Sequence, residues 1–280
     1  MLSNRIVAIV GAGGKMGTRV RRKLSTISDR LILIEASHDK AREIQDAGFD
    51  VCADYSQVNE ADITVLAVPD RLIGRISAEV VPLMKTDSSL VLLDPAAAHG
   101  GRLTKRTDCT FVVTHPCHPP LFGEPQDMEN PDWFGGVSAE QDIVIALESG
   151  SEERFAEAQE LCKAMFAPVR KVHRISVRDM AILEPAAAEV VVAAAATLMR
   201  QALDEAVERG VPFEAARSFL LGHVRIPLAI VFGMTDFPFS DAAQVAIQIG
   251  FDKVIRPNWR DVYNEDMLQY EIDQMLKDKT

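Results

Sequence analysis

An α/β fold, with a parallel sheet domain followed by an all-helical C-terminal domain, is what this chain of 280 residues predicts. Three observations carry that prediction. Short β-branched runs alternate with segments of helical spacing through residue 175 or so. The first run passes straight into a glycine cluster that opens a helix, as in a Rossmann-type domain. Beyond residue 176 the strand texture stops, and long alanine- and leucine-rich stretches take over.

The strands are read at 5–10 (RIVAIV), 31–35, 61–69, 89–95, 109–116 and 141–148. Their apolar residues run continuously instead of alternating, the pattern of strands buried on both faces of a parallel sheet. Helical spacing fills 15–26, 38–48 and 70–84 between them. A further helix at 151–166 opens on Ser151 with early glutamates, and 169–176 reads as one more strand. Residues 176–210 then form one long helix, with Ser176 and Asp179 as a capping-box start and Gly210 as its stop. Pro185 should kink it. A second helix at 212–234 is expected to break at Pro227, the segment 235–241 to turn into a cap at Ser240 or Asp241, and the acidic tail 259–280 to be amphipathic. The domain division predicted is 1–175 and 176–280.

Composition narrows the function classes. Hydrophobic content of 48% and charged content of 25% suit a globular protein with ample core. A formal net charge of −11 with no basic stripe argues against nucleic acid and anionic membrane as partners. The four cysteines include no CxxC pair, which fits reduced thiols in a cytoplasm. The N-terminal apolar run is too short for a signal-peptide core. The alanine-rich stretch 185–199 carries Glu189 and is expected to fall short of a membrane span. A soluble cytoplasmic protein with a small-molecule substrate is the expectation.

The candidate cofactor site is Gly11-Ala12-Gly13-Gly14-Lys15-Met16-Gly17. Glycines here permit a tight turn, and backbone N–H groups at a helix start can approach a pyrophosphate. Met16 departs from the GxGxxG pattern, and GxxGxxG at 11, 14 and 17 fits better. Glu35, at the end of the next strand, is placed to accept bonds from ribose hydroxyls and to repel a 2′-phosphate, which favours NAD over NADP. Asp70 closes the strand run 61–69 at the same sheet edge, as Asp94 closes 89–95. For Asp94 a helix cap is the better expectation.

The densest cluster of reactive side chains is Thr114-His115-Pro116-Cys117-His118-Pro119-Pro120. Histidines at i and i+3 can converge on a metal, or one can act as base while the other binds substrate. Proline stiffening at the carboxyl edge of a sheet favours function for His115 and His118, with Cys117 a small buried filler. The long helix is apolar all round from Met180 to Met199 except for Glu184, Glu189 and Thr197, so it should be buried centrally. Glu184 shares a face with Ala187, Ala188, Val191 and Ala195, and a buried carboxylate needs a metal, a catalytic task or an arginine. His223 is open between an anionic substrate and a backbone carbonyl; His99 and His173 read as surface residues.

Together, GAGGKMG, LAVPDRLIGR, LDPAAA, THPCHPP, MAILEPA and LLGHVRIPLAIVFG resemble the D-apionate oxidoisomerases, within the 6-phosphogluconate dehydrogenase and ketol-acid reductoisomerase superfamily. The resemblance implies oxidation of the D-apionate 2-hydroxyl by NAD, an acyl shift to 3-oxo-isoapionate, and a homodimer built through the helical domains. Two departures from the wider superfamily matter. The helix has no lysine between 180 and 199, and Glu184 and Glu189 do not match the reductoisomerase magnesium motif. Migration requires a ketone polarised while a neighbouring tertiary alcohol loses its proton, work for one Lewis-acidic cation. His115 and Glu184 are the expected ligands, with His118 as base or third ligand and zinc favoured over magnesium. The alternatives are a plain dehydrogenase or oxidative decarboxylase of a related acid, and an NAD-binding regulatory protein without chemistry.

Overall fold

The computed structural model describes residues 4–28, 30–123 and 129–277. Backbone contacts divide the chain into two compact units, Met1–Ile182 with Gln269–Thr280, and Leu183–Leu268. The division lies a little beyond the change of texture at 175/176, and the last residues belong with the first unit.

The first unit is built on a seven-stranded sheet: β1 (Val7–Val10), β2 (Leu31–Ile34), β3 (Ile63–Leu66), β4 (Ser89–Leu92), β5 (Thr110–Pro116), β6 (Gln141–Ser149) and β7 (Val169–Arg174). Spatial order is β2-β1-β3-β4-β5-β6-β7. The first five strands are mutually parallel, β6 runs antiparallel to β5, and β7 is parallel to β6. Helices α1 (Lys15–Leu24), α2 (His38–Asp46), α3 (Asp70–Val80), α4 (Ala96–His99), α5 (Glu152–Met165) and α6 (Val177–Ala181) connect or follow them.

Alternate residues of one strand feed two separate cores. Val7 and Ile9 pack into the cluster that holds Val20, Phe155 and Leu161. Ala8 and Val10 pack into the other, with Ile73, Leu92 and Phe111. Both faces of the central strands are therefore apolar, which is why the runs look continuous in sequence. Each such fully buried side chain contributes about 1.5–3 kcal/mol relative to exposure. The edge strand β7 differs: its lysine and arginines are exposed, which blunts pairing with another sheet.

Capping follows the sequence closely. Ser151 accepts from the N–H groups of Glu153 and Arg154 at the start of α5. Ser176 and Asp179 form the full reciprocal capping box of α6.

Beyond α6 the helix widens. Ile182–Ala193 is π-helical and continues into α7 (Ala194–Glu208). Pro185 has no N–H to donate, and in place of a simple kink the chain here takes the wider helical spacing. Within its unit the apolar helix is not central: almost every residue from Ala188 to Gln201 is half-exposed or exposed, contrary to the burial its composition suggests. By length and composition Val177–Glu208 is also long and apolar enough to cross a membrane, so the expected shortfall is not met on those criteria. Gly210, at φ +95°, ends α7 as expected. Helix α8 (Phe213–Val231) runs through Pro227 without the predicted break, since one missing N–H removes one bond from a ladder otherwise intact. Helix α9 (Asp241–Lys253) is capped by Ser240, whose hydroxyl accepts from the Ala243 N–H, and α10 (Glu265–Met275) follows.

The turn from β1 into α1 is the tightest packing near the carboxyl edge. A Cβ on Gly17 would lie 2.1 Å from the Gly11 carbonyl oxygen, and one on Gly11, at φ +84°, would lie 2.6 Å from the Ala67 oxygen. Gly17→Ala is therefore expected to destabilise the fold by about 1–3 kcal/mol through overpacking against rigid backbone. A lowered urea midpoint at unchanged slope checks it.

Candidate active site

Strand order reverses between β1 and β3, and in a doubly wound sheet the ligand crevice opens there, beyond the carboxyl ends of the strands. A cleft of about 270 Å³ lies at that point, lined by Gly11, Gly14, Glu35, Lys40, Tyr55 and Arg75 among others. Glu35 is only 8% exposed. One carboxylate oxygen accepts from the Gly13 N–H at 2.9 Å and the other from the Ser37 N–H at 2.9 Å. The acid is thus anchored to the glycine turn by two backbone donors and keeps further acceptor capacity.

Gly14 is the N-cap of α1 and supplies no side-chain cap. The N–H groups of Lys15, Met16 and Gly17 in the first turn have no carbonyl four residues back within the helix, so this end suits an anion. Ala12 is fully buried and Met16 packs against the adjoining core, so both serve the turn chiefly through backbone. Asp70 begins α3 and lines a different cleft, of about 580 Å³, with Arg71 and Arg102. Arg75 borders both.

One strand further on, Asp94 and His115 come together. The parallel register pairs Leu92 with Val113, and two residues later it brings Asp94 level with His115. A carboxylate oxygen of Asp94 and a ring nitrogen of His115 lie within 4.8 Å of each other. Asp94 also accepts from the Ala96 N–H at 2.7 Å, a turn bond just ahead of α4, whose N-cap is Pro95 and not the aspartate expected. Burial pushes the His115 pKa down, with His118 acting in the same direction and the bond to Pro116 against it. The ring is neutral at neutral pH. Its Nδ1 lies 2.9 Å from the Pro116 carbonyl oxygen. A carbonyl only accepts, so Nδ1 carries the proton and Nε2 presents a lone pair.

His118 has the same tautomer for the same reason, donating from Nδ1 to the Phe134 oxygen at 3.0 Å. It sits at φ +61°, in the left-handed region that favours glycine, so the surrounding structure holds a strained backbone in place. The two imidazoles meet edge to face, centroids 6.0 Å apart. Cys117 between them is exposed, not the buried filler expected, because β5 ends at Pro116 and the chain turns outward.

Glu184 is half-buried on the π-helical segment, the second residue of the second unit. Three residues before it α6 ends, packed on α4 and β6. His223 donates to the Phe219 oxygen at 2.8 Å and stacks on that ring at 3.9 Å, which selects the backbone-carbonyl role. His173 bonds Asp142 at 3.0 Å on the edge strand, and His99 is half-buried at the end of α4. Two groups near His115 and His118 escaped sequence reasoning in these roles: Asp94 as a neighbour of His115, and Phe134, whose carbonyl orients His118. Register gives the first from a sequence already divided into strands. Nothing local signals the second.

Comparison with known proteins gives the family. Residues 123–276 match the family described as phosphogluconate dehydrogenase (decarboxylating) C-term. The chain is 42% identical over 260 residues to a D-apionate oxidoisomerase from Rhizobium rhizogenes, covering 92% of this chain and 94% of that protein. It is 41% identical to a D-apionate oxidoisomerase from Blautia hydrogenotrophica, over 97% and 96% of the two chains. The crystal structure of a semialdehyde dehydrogenase NAD-binding protein from Cupriavidus necator, in complex with calcium and NAD, superimposes with a TM-score of 0.92. That chain is 38% identical, with 97% of this chain and 99% of it covered.

Proposed function

This chain belongs to the D-apionate oxidoisomerase family, and from that premise we propose that it oxidises the 2-hydroxyl of D-apionate with NAD and rearranges the product to 3-oxo-isoapionate. The observation that carries the reading is the pair of Nδ1-protonated histidines, His115 with Asp94 beside it and His118 next to His115, on the carboxyl edge that also holds the Glu35 cleft.

NAD, when bound, takes the hydride from C2. The chain's own contribution begins with Glu35, whose remaining acceptor capacity fits ribose hydroxyls and whose charge opposes a 2′-phosphate. The N–H groups of Ala12, Gly13 and Gly14 are taken by Ile34, Glu35 and Gly11 and shape the turn, so those of Lys15 and Met16 at the N-terminus of α1 would face the pyrophosphate. His118 takes the 2-hydroxyl proton on Nε2 as the C2 hydrogen leaves, so that a ketone and an imidazolium result.

Asp94, His115 and Glu184 would hold a divalent cation, which supplies polarisation of the new ketone beside the tertiary alcohol. The donor chemistry fits. His115 is held neutral by burial with Nε2 unprotonated, and Asp94 is its carboxyl neighbour. Adding Asp94 makes the set richer in oxygen than the histidine–glutamate pair, so harder ions such as magnesium, manganese and calcium suit it alongside zinc. The apolar faces of the second unit support a homodimer: Val192, Phe219, Phe232 and Phe237 are all more than half exposed. A second copy covering them also accounts for an apolar helix in a soluble cytoplasmic protein.

Five measurements test this reading. Chelation should abolish NADH formation from D-apionate, and adding back a divalent ion should restore it. Glu184→Ala should stay inactive under the same addition while keeping NAD affinity. A product retaining all its carbons excludes oxidative decarboxylation, and chelator-insensitive turnover sinks the cation. Glu35→Gln should weaken NAD about tenfold or more, the loss expected of a charge-assisted hydrogen bond, and narrow the preference over NADP. Val192→Arg should lower the mass seen by light scattering, from dimer to monomer.

A further inference from the structure

We propose that Arg19 is a positioning residue for His118, acting through the backbone of the loop that contains Phe134. The inference rests on the reading of His118 as the base. Arg19 lies on α1, one turn past the glycine cluster. Its Nη2 donates to the Phe134 carbonyl oxygen at 3.1 Å and also to that of Gly135. The Phe134 oxygen is the one that accepts from His118 Nδ1. One guanidinium therefore fixes the acceptor that fixes the imidazole.

The surroundings are built for that contact. A Cβ on Gly136 would lie 3.2 Å from Arg19 Nη2, so a side chain there would crowd the guanidinium. Gly135 and Gly136 both have positive φ, the conformation that turns the loop back toward α1. One Asp132 carboxylate oxygen accepts from the N–H groups of Val137, Ser138 and Ala139 at 2.9, 3.0 and 3.1 Å, closing the loop on itself. The guanidinium also stands over the Phe134 ring, 5.9 Å from its centroid, and that ring meets His118 edge to face at 6.0 Å. On the other side Arg19 Nη1 lies 3.9 Å from the Met16 sulfur. Met16, the residue that departs from the glycine fingerprint, thus touches the arm that steadies the base.

Without Arg19 the loop loses its tie to α1, and the His118 ring is free to exchange tautomers or rotate. Proton removal at Nε2 then suffers while the cofactor turn stays as it is. Arg19→Met and Arg19→Lys in the full-length enzyme separate this from general damage. For Arg19→Met, kcat should fall about tenfold or more, part of the usual effect of a general base. The NAD dissociation constant should stay within about twofold. In ¹⁵N-histidine spectra the His118 ring should change from a single Nδ1-protonated form to a mixture. Arg19→Lys keeps the charge but loses the fork, so it should fall between wild type and Arg19→Met, and it carries the test if the methionine variant does not fold. A kcat within twofold of wild type, or a loss with the His118 signal unchanged, overturns the proposal. Failure of the base reading looks different: His118→Asn would then remain active, whatever the ring signal shows in the Arg19 variants.

Discussion

The contact on which the arrangement depends is between two stretches of backbone: Gly17 in α1 against the carbonyl of Gly11. No side chain fits there, since a Cβ would fall 2.1 Å from that oxygen. Because they touch, the start of α1 is pinned over the end of β1. The glycine turn, Glu35 and Arg19 are then placed together, since Glu35 bonds the Gly13 N–H and Arg19 follows one turn later. A looser junction would leave the amides of the turn and the arm of Arg19 without a common reference. The cofactor cleft and the His118 support thus derive from one steric fact at the sheet edge.

Electrostatics then separates two histidines three residues apart. Both have Nδ1 committed to a backbone carbonyl, and both leave Nε2 to the site. Their surroundings differ. His115 ends a strand, is desolvated, stays neutral and has Asp94 beside it, the state a metal ligand needs. His118 is beyond the strand in a left-handed turn, held from one side by a loop carbonyl. One heptapeptide thus gives two different imidazole environments because the strand ends between them.

Legibility in the sequence divides along the same line, between what is local and what is not. The central strands stand where continuous apolar runs predict them, since burial on both faces writes itself into every residue. The capping box at Ser176, the cap at Ser151 and the stop at Gly210 are read from residue types alone, since capping is short-range. Composition misleads for the helix after Met180. An all-apolar surface means burial against something, and in its own unit this helix has too little to bury against. Pro227 shows the other kind of failure: the rule counts one lost bond and ignores the rest of the ladder. The contacts of Arg19 with the Phe134 loop span more than a hundred positions, and no spacing rule reaches that far.

Asp94 shows how these levels meet. Its bond to the Ala96 N–H is a local matter, a turn just ahead of α4, and by itself says nothing about chemistry. The parallel pairing of β4 with β5 brings it level with His115, where a carboxylate oxygen and a ring nitrogen come within 4.8 Å of each other. The turn bond fixes the orientation of the group, so the acid arrives at His115 already ordered.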